Sequence, residues 1–292
     1  MRVGLIGLGN MGHPMAANIL KAGYELTIHD VRRETGHDLK ADGATWADTP
    51  KAVASQSEVV LTSLPSPQSV EEVVLGDDGV FAGLAQGATY VDTSTNAPSV
   101  MYRITEIGTG QGFRVLDAPI SGGVFGARDA TLTVFVGGVE EDLERVRPVL
   151  ESIGENVVYM GPSGSGNVVK LINNLMMYVN FLGVCEGVAI AARAGIDLQL
   201  LLEVMTPSMG QSRIFERTLS IFLTGKAIGS ATDGAVKDMR LGVELGEELG
   251  VPLEVSPLVR DIITRFRDEA DRGPDEFTDM IQEFLKRSGV DA

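Results

Sequence analysis

A lysine inside an otherwise apolar helical run is the residue of this chain whose placement points most directly to chemistry. In "GNVVKLINNLMM", Lys170 and Asn174 stand at i and i+4, on one face of a helix. Apolar surroundings disfavour an ammonium and lower its pKa. Lys170 is therefore expected to take a proton from an alcohol or return it to a carbonyl, with the Asn174 amide orienting the same oxygen. The competing reading is a lysine whose stem covers apolar surface while its charge reaches water.

The second constellation lies near the start. "VGLIGLGNMG" is an apolar strand pattern that runs into Gly7, Gly9 and Gly12 at G-x-G-x-x-G spacing, and "MAANILKAG" continues as a helix. In that context Gly7 permits a tight turn, Gly9 lets a pyrophosphate approach the backbone, and Gly12 allows close helix packing. The helix N-terminus then faces the phosphates. Gly7, Leu8, Gly9, Asn10, Met11 and Gly12 are thus candidate cofactor contacts. Asp30, at the end of the second strand, is placed to accept hydrogen bonds from the adenosine ribose and to repel a 2′-phosphate, which favours NAD over NADP. Arg32 and Arg33 pull the other way unless they are solvated surface, so NADP stays open. His13 follows the glycines at the phosphate end of an extended dinucleotide, away from its reactive ring, and is expected to be a surface or capping residue.

Three further segments carry polar groups. "TSLPSPQSV" and "VDTSTNAPSV" follow later strands at the edge where open α/β sheets bind ligands; Thr95 there either touches the cofactor or makes a turn. In "DAPISGGVFGARDATLTVFVGG", Ser121, Gly122 and Gly123 form either a small nest for a carboxylate or an ordinary glycine-rich crossover. Arg213, in "TPSMGQSRIFERT", offers a fork for a second anionic group of a substrate, or else pairs with Glu203 or Glu216 at the surface.

These residues need a framework. "VGLIG", "ELTIHD", "EVVLTSLP", "TYVDTS", "RVLDAP", "TLTVFVGG" and "NVVYMG" alternate with helical segments, which predicts a parallel α/β sheet over residues 1–162. The stretch from Gly164 to Gly195 reads as one apolar helix of about 30 residues, roughly 45 Å long. The segments beyond it, "DLQLLLEVM", "AVKDMRLGVELGEELG", "LEVSPLVRDIITRFRDEA" and "DEFTDMIQEFLKRSG", read as helices. An all-α domain is expected over 163–292, joined to the first by the long helix and covered in part by a subunit partner.

The composition narrows the classes. Lys and Arg number 24 against 40 Asp and Glu, a net charge of -16, which is not the footprint of a nucleic-acid or anionic-membrane binder. Asn180 and Glu186 interrupt the longest apolar run, so a buried helix is expected rather than a membrane span. The three histidines are not at metal-ligand spacing and no metal is expected. One cysteine, Cys185, is expected to be a buried thiol, and with no apolar leader ahead of Arg2 the chain is expected in the cytoplasm.

Taken together, the chain resembles the β-hydroxyacid dehydrogenases, the 3-hydroxyisobutyrate dehydrogenase group, over essentially its whole length. "GLGNMGHPMAANILKAG" is similar to the cofactor signature, "DAPISGG" to the substrate loop, "GSGNVVKLINN" to the catalytic helix and "KDMRLG" to a later cofactor-facing motif. The resemblance implies that Ser121, Gly122 and Gly123 hold the substrate carboxylate, that Lys170 is the acid/base, and that Asn174 helps orient the substrate. It also implies that Leu64, Pro65, Thr95 and Lys237 line the dinucleotide site, with Asp238 supporting Lys237. The expected reaction is reversible hydride transfer between NAD and a short 3-hydroxycarboxylate, in a homodimer or homotetramer. Its rivals are reduction of tartronate semialdehyde or another semialdehyde and, in another class, a dinucleotide-binding protein without turnover. Imine reduction on the same scaffold goes with a different residue at the lysine position. One departure stands out: Ala130 occupies a position where the family usually has glycine.

Overall fold

The computed structural model describes residues 1–225, 232–269 and 279–290. It divides into two compact units, Met1–Lys170 and Leu171–Ala292.

The first unit is built on a nine-stranded sheet. Its strands are β1 (Arg2–Ile6), β2 (Glu25–His29), β3 (Thr45–Trp46), β4 (Val59–Thr62), β5 (Thr89–Asp92), β6 (Arg114–Asp117), β7 (Ile120–Ser121), β8 (Thr133–Gly137) and β9 (Asn156–Gly161). Between them run α1 (Gly12–Lys21), α2 (His37–Ala41), α3 (Pro50–Ala54), α4 (Pro67–Leu75), α5 (Val80–Gly83), α6 (Pro98–Gly110), α7 (Gly123–Arg128) and α8 (Glu140–Glu151). The order β3-β2-β1-β4-β5-β6 is that of a doubly wound dinucleotide fold, and these six strands are parallel. Strands β1, β4 and β5 are buried along almost their whole length because helices cover both faces of the sheet. One apolar cluster, around Leu5, Met15, Leu116 and Val136, and another, around Val60, Tyr90 and Ile104, fill the space between sheet and helices.

The sheet departs from the expected all-parallel arrangement at β8, which runs antiparallel to β6 and β7, while β9 pairs parallel with β8. A parallel return needs a crossover of a dozen or more residues. Helix α7, only six residues long, does not carry the chain back to the start of the sheet, so β8 enters from the opposite end.

Helix α9 (Ser165–Arg193) is the long apolar helix, and the division between the units falls within it. The second unit continues with α10 (Leu198–Met205), α11 (Arg213–Thr224), α12 (Thr232–Glu248), α13 (Val255–Glu269) and α14 (Met280–Arg287). The first residues of the last expected helix, from Asp275, lie outside the described residues. Phe181, Cys185 and Val188 of α9 pack with Leu219, Met239, Ile263 and Ile281 into one core. Each such apolar side chain contributes about 1.5–3 kcal/mol on full burial. By length and composition α9 could cross a membrane, yet these side chains mark it as a core helix. Burial pushes the Cys185 thiol far above its ordinary pKa.

Candidate active site

The turn from β1 to α1 is set by sterics. Gly7 adopts φ +93°, a left-handed conformation that L side chains avoid, and a Cβ there would run into the Ser63 carbonyl. A Cβ on Gly12 would run into the carbonyl of Gly7, so the helix packs on the turn backbone to backbone. A Cβ on Gly9, by contrast, would meet nothing within 4 Å, so the loop is open on that side. The residue before α1, Met11, gives it no side-chain cap and no acidic residue occupies its first turn. An open backbone at a positively polarised helix end fits a dinucleotide pyrophosphate.

Asp30 serves this loop from within. Its Oδ2 accepts the Leu8 N–H at 2.7 Å and its Oδ1 accepts the Arg32 N–H at 2.8 Å. The carboxylate thus stiffens the glycine turn while keeping a charge beside it. The adjacent Val31 is 93% exposed, and its side chain offers no hydrogen bond to a phosphate. Arg33 is engaged elsewhere, 3.2 Å from Asp48 and stacked over Trp46 at 5.7 Å, while the Arg32 Nε lies 3.8 Å from Asp30. His13 pairs through Nε2 with Asp38 at 2.9 Å, and that bond holds the Asp38 carboxyl below its usual range.

Polar residues at the ends of β4, β5 and β6 stand side by side, with Thr62 opposite Asp92 and Asp92 opposite Asp117. Asp92 accepts from the Thr62 hydroxyl at 2.9 Å and from the Ser94 N–H at 3.1 Å. The Ser94 hydroxyl in turn accepts the Leu64 N–H at 2.9 Å, which fixes the Leu64-Pro65 turn; Thr95 follows directly. Burial raises the Asp92 carboxyl above its ordinary pKa against these bonds.

Asp117 is fully buried. Its Oδ1 accepts the Gly164 N–H at 2.7 Å and its Oδ2 accepts the Asn167 N–H at 2.9 Å, so it caps the N-terminus of α9 from another strand. Burial raises its pKa and these two backbone bonds oppose the shift. The Asn167 Oδ1 accepts the Asn96 N–H at 2.7 Å, while its amide nitrogen faces Asp117 without a well-aligned hydrogen bond. Four residues beyond Asp117, Ser121 ends β7 opposite Thr133, and Gly122 and Gly123 follow at φ +138° and +64° to open α7.

On α9, Lys170 is half-buried and Asn174 is 2% exposed. The Asn174 Nδ2 donates to Asp238 Oδ2 at 2.7 Å, and its Oδ1 accepts from Asn173 at 3.0 Å. The other Asp238 oxygen lies 3.1 Å from the Lys237 Nζ. Asp238 therefore joins Asn174 to Lys237, a link between residues distant in sequence. Burial, and secondly the charge of Asp238, push the Tyr178 hydroxyl well above its ordinary pKa. Asn167, Lys170, Asn174 and Tyr178 recur at three- and four-residue intervals and share one face of the helix. Arg213 is exposed in the first turn of α11, after the Ser212 cap, and among the described residues it pairs with neither Glu203 nor Glu216. One turn later, burial and then the Arg213 charge lower the pKa of Arg217.

The glycine loop, Asp30, Leu64, Pro65, Thr95, Ser121, Gly122, Gly123 and Lys170 belong to the first unit, and Asn174, Arg213 and Lys237 to the second. Asp92, Asp117 and Asn167 were not singled out by sequence. An acidic last residue directly after two buried apolar ones, "YVD" and "VLD", is the signal that marks the first two.

Residues 2–161 match the family model of the NAD binding domain of 6-phosphogluconate dehydrogenase, and residues 164–284 match that for NAD-binding of NADP-dependent 3-hydroxyisobutyrate dehydrogenase. Over 208 residues the chain is 41% identical to 3-hydroxyisobutyrate dehydrogenase of Pseudomonas aeruginosa, covering 71% of this chain and 70% of that one. Over 292 residues it is 32% identical to 2-(hydroxymethyl)glutarate dehydrogenase of Eubacterium barkeri, covering 99% and 97%. A solved structure of Psf3 in complex with NADP+ and 2-OPP matches with a TM-score of 0.89 at 27% identity, covering 98% of this chain and 99% of that one.

Proposed function

The chain belongs to the β-hydroxyacid dehydrogenase family of NAD(P)-dependent oxidoreductases, and on that footing we propose that it interconverts a short 3-hydroxycarboxylate of the 3-hydroxyisobutyrate type and its semialdehyde. Lys170 is the acid/base. In the oxidative direction its amine takes the proton of the β-hydroxyl; in reduction the ammonium returns a proton to the carbonyl oxygen. Ser121, Gly122 and Gly123 hold the substrate carboxylate, and Asn174, steadied by Asp238, orients the reacting oxygen. The bound dinucleotide supplies the hydride acceptor or donor. Gly7 to Gly12, Leu64, Pro65, Thr95 and Lys237 hold it, and Asp30 disfavours a 2′-phosphate, so NAD is preferred. The observation that carries this reading is a lysine on the same helical face as a buried asparagine whose amide is fixed by a carboxylate at 2.7 Å.

A second reading rests on Arg213, whose exposed guanidinium suits a substrate with a second anionic group, as a hydroxy-dicarboxylate has, or with a more polar far end, as a tartronate-type semialdehyde has. A dinucleotide-binding protein without turnover is the remaining alternative. We place the enzyme in the cytoplasm as a homodimer or homotetramer; Leu200 and Val204 of α10, about half exposed, suit a subunit contact. An absorbance screen with NAD and NADP over short 3-hydroxyacids, dicarboxylic hydroxyacids and semialdehydes separates these readings. Turnover of mono-anionic 3-hydroxyacids with NAD supports the first; turnover confined to di-anions moves the assignment to the second. No turnover with any substrate leaves the non-catalytic alternative.

A further inference from the structure

Helix α9 carries Lys170 but contributes no acidic residue to its own first turn. The group that satisfies its leading N–H donors comes instead from the end of β6, where Asp117 accepts from Gly164 at 2.7 Å and from Asn167 at 2.9 Å. This carboxylate has no room to swing. A Cβ on Gly137 would press on Asp117 Oδ1 and the Gly166 N–H, and one on Gly166 would press on the Phe135 carbonyl and Asp117 Oδ2. The backbone therefore closes around it on two sides, and glycine at both positions is what admits the carboxylate.

The same cap reaches two ligand-facing segments. Asp117 opens the "DAPISGG" stretch that ends in Ser121, Gly122 and Gly123. Asn167, whose N–H it accepts, receives the Asn96 N–H on its side chain at 2.7 Å, directly after Thr95. Asn167 lies three residues before Lys170, a little less than one turn, and on the same helical face. A slip or rotation of that first turn would be passed along the long lysine stem to its Nζ.

From this geometry we propose that Asp117, acting through Gly164 and Asn167, is a positioning residue that sets the phase of α9 and with it the placement of Lys170. The proposal rests on Lys170 as the acid/base. Displacing a reacting group by about 1 Å costs on the order of 100-fold in rate, so Asp117 matters to turnover far more than to cofactor binding, which the glycine loop governs.

The test is a double-mutant cycle of the full-length enzyme: the parent, Lys170→Ala, Asp117→Asn and the double variant, each assayed for kcat, KM, NADH binding by fluorescence and thermal unfolding. Asp117→Asn keeps the shape but puts an N–H donor where one backbone N–H needs an acceptor. It should lower kcat by about 10-fold or more, with NADH affinity within about 3-fold of the parent, and in the Lys170→Ala background it should cost less than about 2-fold, the non-additivity of residues acting through one group. An equal loss in both backgrounds, or parental kcat in Asp117→Asn, overturns the proposal while leaving Lys170 in place. Near-parental kcat in Lys170→Ala overturns the acid/base reading and the proposal with it. If Asp117→Asn does not fold, Asp117→Ser, whose shorter hydroxyl cannot accept both the Gly164 and the Asn167 N–H, completes the same cycle with the same expected non-additivity.

Discussion

Replacing Ala130 by glycine should stabilise the protein. Ala130 is the one non-glycine residue with positive φ among those described, at +56°, in the turn between α7 and β8. The conformation is imposed from both sides: Asp129 N–H donates to the Phe125 carbonyl at 2.9 Å and Thr131 N–H returns to the Gly126 carbonyl at 2.9 Å, so the residue between them must turn left-handed. Placing a Cβ in that region costs about 1–2 kcal/mol. Glycine relieves this but frees the unfolded chain, which takes back about 0.4–1 kcal/mol. The net gain is about 0.5–1 kcal/mol, and for a chain of this size it raises Tm by roughly 1–4 °C. Urea unfolding followed by circular dichroism reads the difference, with an unchanged slope and a higher midpoint expected. A lower Tm for Ala130→Gly would refute the reasoning, because it would mean the methyl group contributes more through packing than the backbone loses through strain.

Other outcomes follow from the same geometry. Asp30→Asn, which keeps an acceptor for Leu8 but removes the charge, should raise kcat/KM for NADP relative to NAD by about 10-fold; an unchanged ratio would remove Asp30 from cofactor choice. Gly12→Ala should weaken NADH binding by about 10-fold or more with the circular dichroism spectrum preserved, since its Cβ meets the Gly7 carbonyl where the loop must approach phosphate. Arg213→Met should cost about 2 kcal/mol in kcat/KM on a di-anionic substrate and little on a mono-anionic one, and equal effects on both would eliminate the second reading. Cys185, buried and with its thiol pushed upward, should stay unreactive to a thiol reagent at about pH 8 until denaturant is added; rapid labelling of the native protein would contradict its place in the core.

Much of the fold could be read in the sequence because its longer elements obey their own periods. Runs such as "VVLT" and "TYVD" are strands buried on both faces, and the stretch around Lys170 and Asn174 is helical from end to end. The two-residue strands β3 and β7 carry too few residues to show any alternation. The antiparallel entry of β8 depends on where a short helix leaves the chain, and spacing does not encode that. At the site, the G-x-G-x-x-G turn was legible because each glycine answers to a local steric need. The internal role of Asp30 was not, since a carboxylate at the end of a strand looks alike whether it faces ribose or the Leu8 N–H. Least legible were the cap of α9 by Asp117 and the Asn174–Asp238 link. Both join residues tens of positions apart through buried hydrogen bonds, and only the folded chain places those donors and acceptors together.

The central claim is that Lys170 moves the proton. Its most direct test is the kcat of Lys170→Ala across the pH range, measured with NAD and the best 3-hydroxyacid from the screen, beside NADH binding by the same variant. General acid/base catalysis predicts a loss of about 100-fold or more at the optimum pH, with NADH affinity kept within about 3-fold. Near-parental kcat with intact binding would contradict it and require another group to carry the proton.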